Sequence, residues 1–159
     1  MEHVVYLALG SNLGDRGANL KTAVAALATF VVVHQVSRVY ETSPWGITDQ
    51  PAYLNMVLRG GTSLDPRELL ERLKRLETRL GRVPGLRWGP RRIDLDILFF
   101  DDIVLDSPGL TIPHPHLHER AFVLVPLADL DPGLRHPILH STVGELLTAL
   151  DASGVKRYE

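Results

Sequence analysis

The run Ile93-Asp94-Leu95-Asp96-Ile97-Leu98-Phe99-Phe100 constrains this chain more than any other stretch. It lies between a Gly-Pro turn at residues 89 and 90 and the pair Asp101-Asp102. A short apolar run bounded by turn residues reads as a strand. Strand alternation puts Asp94 and Asp96 on one face and Leu95, Ile97 and Phe99 on the other. Same-face neighbours stand roughly 6.5–7 Å apart at the backbone, so two such carboxylates can share a hard cation such as Mg²⁺. Arg91 and Arg92 come just before, and adjacent guanidinium groups suit phosphates, whereas Arg87 reads as part of a solvated basic loop. The segment alone points to metal-assisted chemistry on a phosphate ester. The competing reading is the polar face of a solvated edge strand. Apolar flanks and neighbouring arginines favour the metal reading, because carboxylates beside apolar groups are costly without cations.

The remaining elements come from period and punctuation. Val4 to Leu9 reads as a buried strand, Gly10 to Asp15 as a turn, and Leu20, Val24, Leu27 and Phe30 as the stripe of a helix. Val31 to Glu41 reads as one strand, Thr42 to Pro51 as a loop and Tyr53 to Thr62 as a third strand. Asp65-Pro66-Arg67-Glu68 opens a helix with a capping-box pattern, and Gly81 ends it. Arg82 to Arg92 is a long loop, and Ile103 to Leu105 a short strand partnering Ile93 to Phe100. Thr111 to His118 reads as irregular, Phe122 to Leu130 as helical despite Pro126, and Val143 to Leu150 as a last helix. The order β-α-β-β-α-β, with additions after it, predicts an α+β fold: a ferredoxin-like core, an antiparallel sheet with helices packed on it, and further C-terminal elements. With 159 residues, no repeat and no linker, the expectation is a single domain over residues 1–159.

Composition narrows the function classes. A net charge of −2 argues against a general nucleic-acid binder. The 17 basic residues comprise 14 Arg and 3 Lys, a balance that favours planar contacts to anions. Without cysteine there is no disulfide, thiolate-zinc site or cysteine nucleophile. No apolar stretch reaches bilayer-spanning length, and the N-terminus carries no leader pattern. A cytoplasmic protein, monomeric and without a membrane or nucleic-acid partner, is expected.

Other constellations have two readings each. Gly10-Ser11-Asn12-Leu13-Gly14 comes after a strand, but it lacks the Gly-Lys-Ser/Thr ending of a phosphate loop and reads as a tight turn. His114, His116 and His118 alternate, with His136 and His140 beyond. They offer a zinc set on paper, yet prolines break the segment, so one histidine near a phosphate is the preferred reading and the others are read as surface residues. Trp45, Tyr53, Trp88 and Phe122 could stack on a flat heterocycle, and Asn55 could read its edge. A non-enzymatic ferredoxin-like binding domain and a His/Asp metallohydrolase stand as alternatives to the phosphoryl-transfer reading.

Together the motifs acquire a family. Gly89-Pro90-Arg91-x-x-Asp94-Leu95-Asp96-Ile97 closely resembles the signature of the 6-hydroxymethyl-7,8-dihydropterin pyrophosphokinases of folate biosynthesis. The likeness extends to Leu9-Gly10-Ser11-Asn12-Leu13-Gly14, Tyr40-x-Thr42-x-Pro44-x-Gly46, Asp49-Gln50-Pro51-x-Tyr53-Leu54-Asn55, Glu77, Gly81-Arg82-Val83, Pro113-His114 and Arg120-x-Phe122. The resemblance implies transfer of pyrophosphate from ATP to the hydroxymethyl group of 6-hydroxymethyl-7,8-dihydropterin, with release of AMP. It implies that Asp94 and Asp96 hold two Mg²⁺ ions with ATP. Arg82 and Arg91 would be catalytic, with Arg82 and Trp88 closing over the site. Tyr53 and Phe122 would sandwich the pterin, and Thr42, Pro44, Trp45 and Asn55 would read its edge. Leu70, Lys74, Glu77, Arg91, Ile97, Thr111, His114 and Arg120 would contact the nucleotide. The chain departs from the family's usual pattern at Lys74, Pro84, Gly109 and Pro115.

Overall fold

A computed structural model describes residues 2–42, 52–81 and 92–158. Strands β1 (His3–Ser11), β2 (Val32–Val36), β3 (Tyr40–Thr42), β4 (Tyr53–Thr62), β5 (Asp94–Phe100) and β8 (Val155–Arg157) form one six-stranded sheet. Its order is β5-β1-β4-β3-β8, with β2 also on β4. Each of these pairings is antiparallel. Leu105–Ser107 (β6) and Leu110–Ile112 (β7) form a separate two-stranded sheet.

Helices cover both faces. α1 (Arg16–Leu27) and α2 (Pro66–Arg79) bury Leu20, Ala23, Leu27, Leu69, Leu73 and Leu76 against Leu7, Leu9, Leu54, Leu58, Leu95 and Ile97. α3 (Ala121–Leu130) and α4 (Val143–Thr148) pack Val123, Leu124, Leu127 and Val143 against Tyr6, Val57, Leu98 and Phe99 on the other face. The molecule is therefore an α+β sandwich of three layers around an antiparallel sheet.

Local chemistry explains the element ends. Asp65 caps α2, accepting from the Glu68 N–H at 2.8 Å while Glu68 accepts from the Asp65 N–H at 3.1 Å. Gly81 then takes φ +107°, which glycine adopts without steric cost. Thr142 and Glu145 form a second capping box at α4. α3 tolerates Pro126, which is buried among its apolar neighbours.

Several expectations need correction. The single strand read over Val31 to Glu41 is two. Val36 pairs with Leu58 and Tyr40 with Asn55, so three residues face two, and the ladder is interrupted. Ser37 fills the break: its Oγ accepts from the Val57 N–H at 2.9 Å. Gly10 and Ser11 belong to β1 rather than to a turn, because β4 flanks both and β5 flanks Gly10. Leu105 pairs with Ile112, not with β5. The outer edge of β5 is taken instead by Glu77, which accepts from Leu95, and by His114, whose N–H donates to the Leu98 carbonyl at 3.0 Å. Thr111 accordingly lies in a strand, not an irregular segment. Phe99 sits on the opposite face from Leu95 and Ile97, because a β-bulge opposite Tyr6 and Leu7 shifts the register. His136 is buried at 5% exposure, edge-on to Phe99, rather than on the surface.

Candidate active site

The register across three strands builds the site. Gly10 of β1 lies opposite Asn55 of β4 on one side and Asp94 of β5 on the other. Ala8 pairs with Asp96, and Thr42 of β3 with Tyr53 of β4. Directly opposed residues share a face, so Thr42, Tyr53, Asn55, Gly10, Asp94 and Asp96 all project toward the α3 layer. Leu95 and Ile97, between and beyond the aspartates, point into the core beneath α1 and α2. The predicted same-face carboxylate pair is thus present, and both aspartates are half-buried.

Gly10 leaves the space in the middle. A Cβ at this position would lie 2.9 Å from Asn55 Oδ1 and 3.6 Å from the Tyr53 ring. The Tyr53 hydroxyl reaches Asp94 Oδ2 at 3.4 Å, which ties the aromatic end of the site to the carboxylate end. Thr42 Oγ1 is buried and, among the described residues, has no hydrogen-bond partner. A buried hydroxyl left so costs about 1–3 kcal/mol and is relieved by a bound polar ligand.

The opposite wall comes from the segment after β7. Phe122, at the start of α3, packs against the cluster that fills this face, and the Arg120 guanidinium lies 5.7 Å from its ring centroid. His114 is half-buried, and its Nδ1 accepts from the His116 N–H at 3.1 Å. That bond assigns the ring proton to Nε2. Burial first, then Arg120 and His116, pushes the His114 pKa down to about 4. His114 is therefore a neutral donor near pH 7, able to bond a phosphate oxygen through Nε2 without adding a cation.

The nucleotide-side residues divide around β5. Leu70, Lys74 and Glu77 lie on α2, Ile97 on the β5 face that packs with α2, and Thr111 on β7. His114 and Arg120 lie with the α3 layer. Pro44, Trp45, Arg82, Trp88 and Arg91 fall outside the described residues. Sequence reading missed Arg16, whose Nη1 donates to Glu41 Oε2 and to the Ala52 carbonyl, both at 2.7 Å. It thereby joins the described ends on either side of residues 43–51. Its only sequence signal was a basic residue in a helix's first turn.

The donor set suits Mg²⁺ rather than zinc. Among the described residues no group of three or more His, Cys, Asp or Glu is arranged to hold a metal. Two half-buried carboxylates on one face match the habit of Mg²⁺, which is usually held by one or two carboxylates plus substrate.

The chain is similar over most of its length to proteins of one family. The family model described as 7,8-dihydro-6-hydroxymethylpterin-pyrophosphokinase matches residues 6–132. The chain is 43% identical over 141 residues to the 2-amino-4-hydroxy-6-hydroxymethyldihydropteridine pyrophosphokinase of Aquifex aeolicus, covering 89% of this chain and 88% of that one. It is 46% identical over 156 residues to the Methylorubrum extorquens protein of the same name, covering 97% and 98%. In fold it resembles the solved Plasmodium falciparum HPPK-DHPS with pteroate, at a TM-score of 0.78 and 17% identity. That match covers 99% of this chain and 46% of the longer one. β5 and the residues opposite it on β1 and β4 lie within the family match, and the chain belongs to the 7,8-dihydro-6-hydroxymethylpterin-pyrophosphokinase family.

Proposed function

We propose that the sheet face beneath α3 lays the pterin across β1, with its ring edge at β4 and its hydroxymethyl arm at β5. The chain is a pyrophosphokinase of folate biosynthesis, transferring pyrophosphate from ATP to 6-hydroxymethyl-7,8-dihydropterin. The observation that carries the site assignment is the register Asn55–Gly10–Asp94. Adjacent strands are about 4.8 Å apart, so Asn55 and Asp94 are separated by about 10 Å at the backbone, a span that suits a bicyclic ring with a hydroxymethyl arm.

In this reading Thr42 and Asn55 hydrogen-bond the ring edge, and Tyr53 and Phe122 bracket its faces. Pro44, Trp45 and Trp88 belong to the same pocket by family resemblance. Asp94 and Asp96 would hold Mg²⁺, two ions being expected with ATP, and the metal would screen the phosphates and orient them. The pterin hydroxyl oxygen attacks the β-phosphorus, the bond from that phosphorus to the bridging α–β oxygen breaks, AMP departs with that oxygen, and the hydroxyl proton is released. His114 donates to a phosphate through Nε2. Arg82 and Arg91 would neutralise the charge that develops during transfer, and Arg120 would contact the nucleotide. Leu70, Lys74, Ile97 and Thr111 line the adenosine side. The strand order supports a ferredoxin-like core, with β2 and β3 together serving as its second strand. A cytoplasmic monomer is the expected state, and sedimentation of the purified protein checks its oligomeric part.

The test is incubation with ATP, Mg²⁺ and the pterin alcohol, with nucleotides separated by ion exchange. AMP formed in step with pterin diphosphate supports the reading. Free phosphate without AMP would instead indicate a hydrolase.

A further inference from the structure

The family likeness puts Glu77 on the nucleotide, but its surroundings give it other work. It is 1% exposed, leaving a ligand almost nothing to touch. Its Oε2 accepts the Leu95 N–H at 2.7 Å, and its Oε1 lies 3.3 Å from Lys74 Nζ, one helical turn earlier on α2. We infer that Glu77 is a positioning residue for the carboxylate pair, pinning the strand between Asp94 and Asp96 through Leu95. The inference rests on the reading of those aspartates as the metal-holding pair.

β5 is the last strand of its sheet and, among the described residues, pairs only with β1. In such a strand alternate N–H groups point away from the partner, and an open edge frays more readily than a paired one. Leu95 is the outward position between the two aspartates. Glu77 holds that edge with a charge-assisted acceptor, which is stronger than a neutral one. It reaches the strand edge from α2, a helix anchored in the core by Leu69, Leu73 and Leu76. Lys74 offsets the buried charge. The separation and facing of Asp94 and Asp96 are thus set from the opposite layer of the molecule.

The experiment uses the full chain and three variants, Glu77→Gln, Glu77→Asp and Glu77→Ala. Amide hydrogen exchange of Leu95 is measured in the metal-free protein. Mn²⁺ affinity is measured by electron paramagnetic resonance with a non-hydrolysable ATP analogue. KM and kcat are measured alongside. Glu77→Ala is expected to speed Leu95 exchange, to weaken Mn²⁺ binding by about 10- to 100-fold and to lower kcat, with pterin KM unchanged. Glu77→Gln, whose side-chain oxygen can still accept from Leu95, should restore most of this. Glu77→Asp, too short to reach, should behave like Glu77→Ala and carries the test if the alanine variant does not fold. Raised ATP KM with Leu95 exchange and Mn²⁺ affinity as in wild type would overturn the inference in favour of direct nucleotide contact. Equal damage from Glu77→Gln and Glu77→Ala would overturn the hydrogen-bond account. Wild-type AMP release is scored separately: its absence sinks the reading of the site whatever Leu95 does.

Discussion

At the level of single residues, the aspartates were legible and the glycine was not. Asp94-x-Asp96 declares its facing through alternation alone, because the strand is regular as far as Ile97. Beyond that point a bulge breaks the parity, and Phe99 falls on the face the pattern denied it. Gly10 carries no comparable signal, since nothing in a sequence says which side chains lie opposite a glycine. In the fold it is the gap between Asn55 and Asp94. Gly10→Ala should push Asn55 aside and raise the pterin KM by about tenfold, the equivalent of one lost hydrogen bond. ATP affinity and the melting temperature should change little. Steady-state kinetics with each substrate varied in turn checks this, and an unchanged pterin KM would remove Gly10 from the site. Asp94→Asn and Asp96→Asn keep side-chain size and remove charge. Each should lower kcat by at least about 10²-fold through the phosphates' lost metal partner, with circular dichroism unchanged. Near-wild-type turnover at saturating Mg²⁺ would refute their role.

Among the elements, α2 was the most legible because its signals are local. Asp65, Pro66, Glu68 and Gly81 announce both ends, and the structure has the capping box and the left-handed glycine. The division of β2 from β3 was hidden because it depends on a partner: Ser37 replaces a ladder bond only once β4 lies beside it. β6 was misassigned for a related reason, since its apparent partner β5 has its outer edge occupied by Glu77 and His114. Arg16 belongs at this scale, because it binds α1 to β3 and to the residue before β4. Arg16→Ala removes both bonds from a partly buried guanidinium and should cost about 1–2 kcal/mol of stability, read from urea denaturation. It should also raise the pterin KM more than the ATP KM, because Thr42 and Tyr53 flank the residues it joins. Equal effects on both substrates would reduce Arg16 to general stabilisation.

For the whole molecule, the third layer makes the fold sensitive to acid. The sequence marked the two C-terminal helices only as additions to its sheet, and it left β8, the outermost strand beside β3, unread. Those additions bury two histidines in the form that accepts backbone bonds. His114 Nδ1 accepts from His116 N, and His136 Nδ1 accepts from Ile138 N and Leu139 N at 3.2 and 3.1 Å. Burial lowers the pKa of both, to about 4 for His114, helped there by Arg120 and His116 and at His136 by His118 and His140. A folded-state pKa below the unfolded value of about 6.5 means that the unfolded chain holds more protons in between. Stability is therefore complete above pH 6.5 and falls as the pH drops toward 4. For His114 the loss is at most about 3 kcal/mol, from 1.36 kcal/mol per pKa unit, a sizeable share of a typical 5–15 kcal/mol. This window lies above that of Glu145 and Asp151, whose lowered carboxylate pKa values act only below their ordinary values of 4.5 and 3.8. Urea denaturation at intervals from pH 7 to 4.5 should show wild type weakening throughout. His114→Asn, which keeps an acceptor for the His116 N–H without a titrating ring, should weaken less steeply. The difference in slope should approach one proton near pH 5. Parallel curves for the two proteins would mean that burial does not lower the His114 pKa in the folded state, and the acid sensitivity would have to be assigned elsewhere.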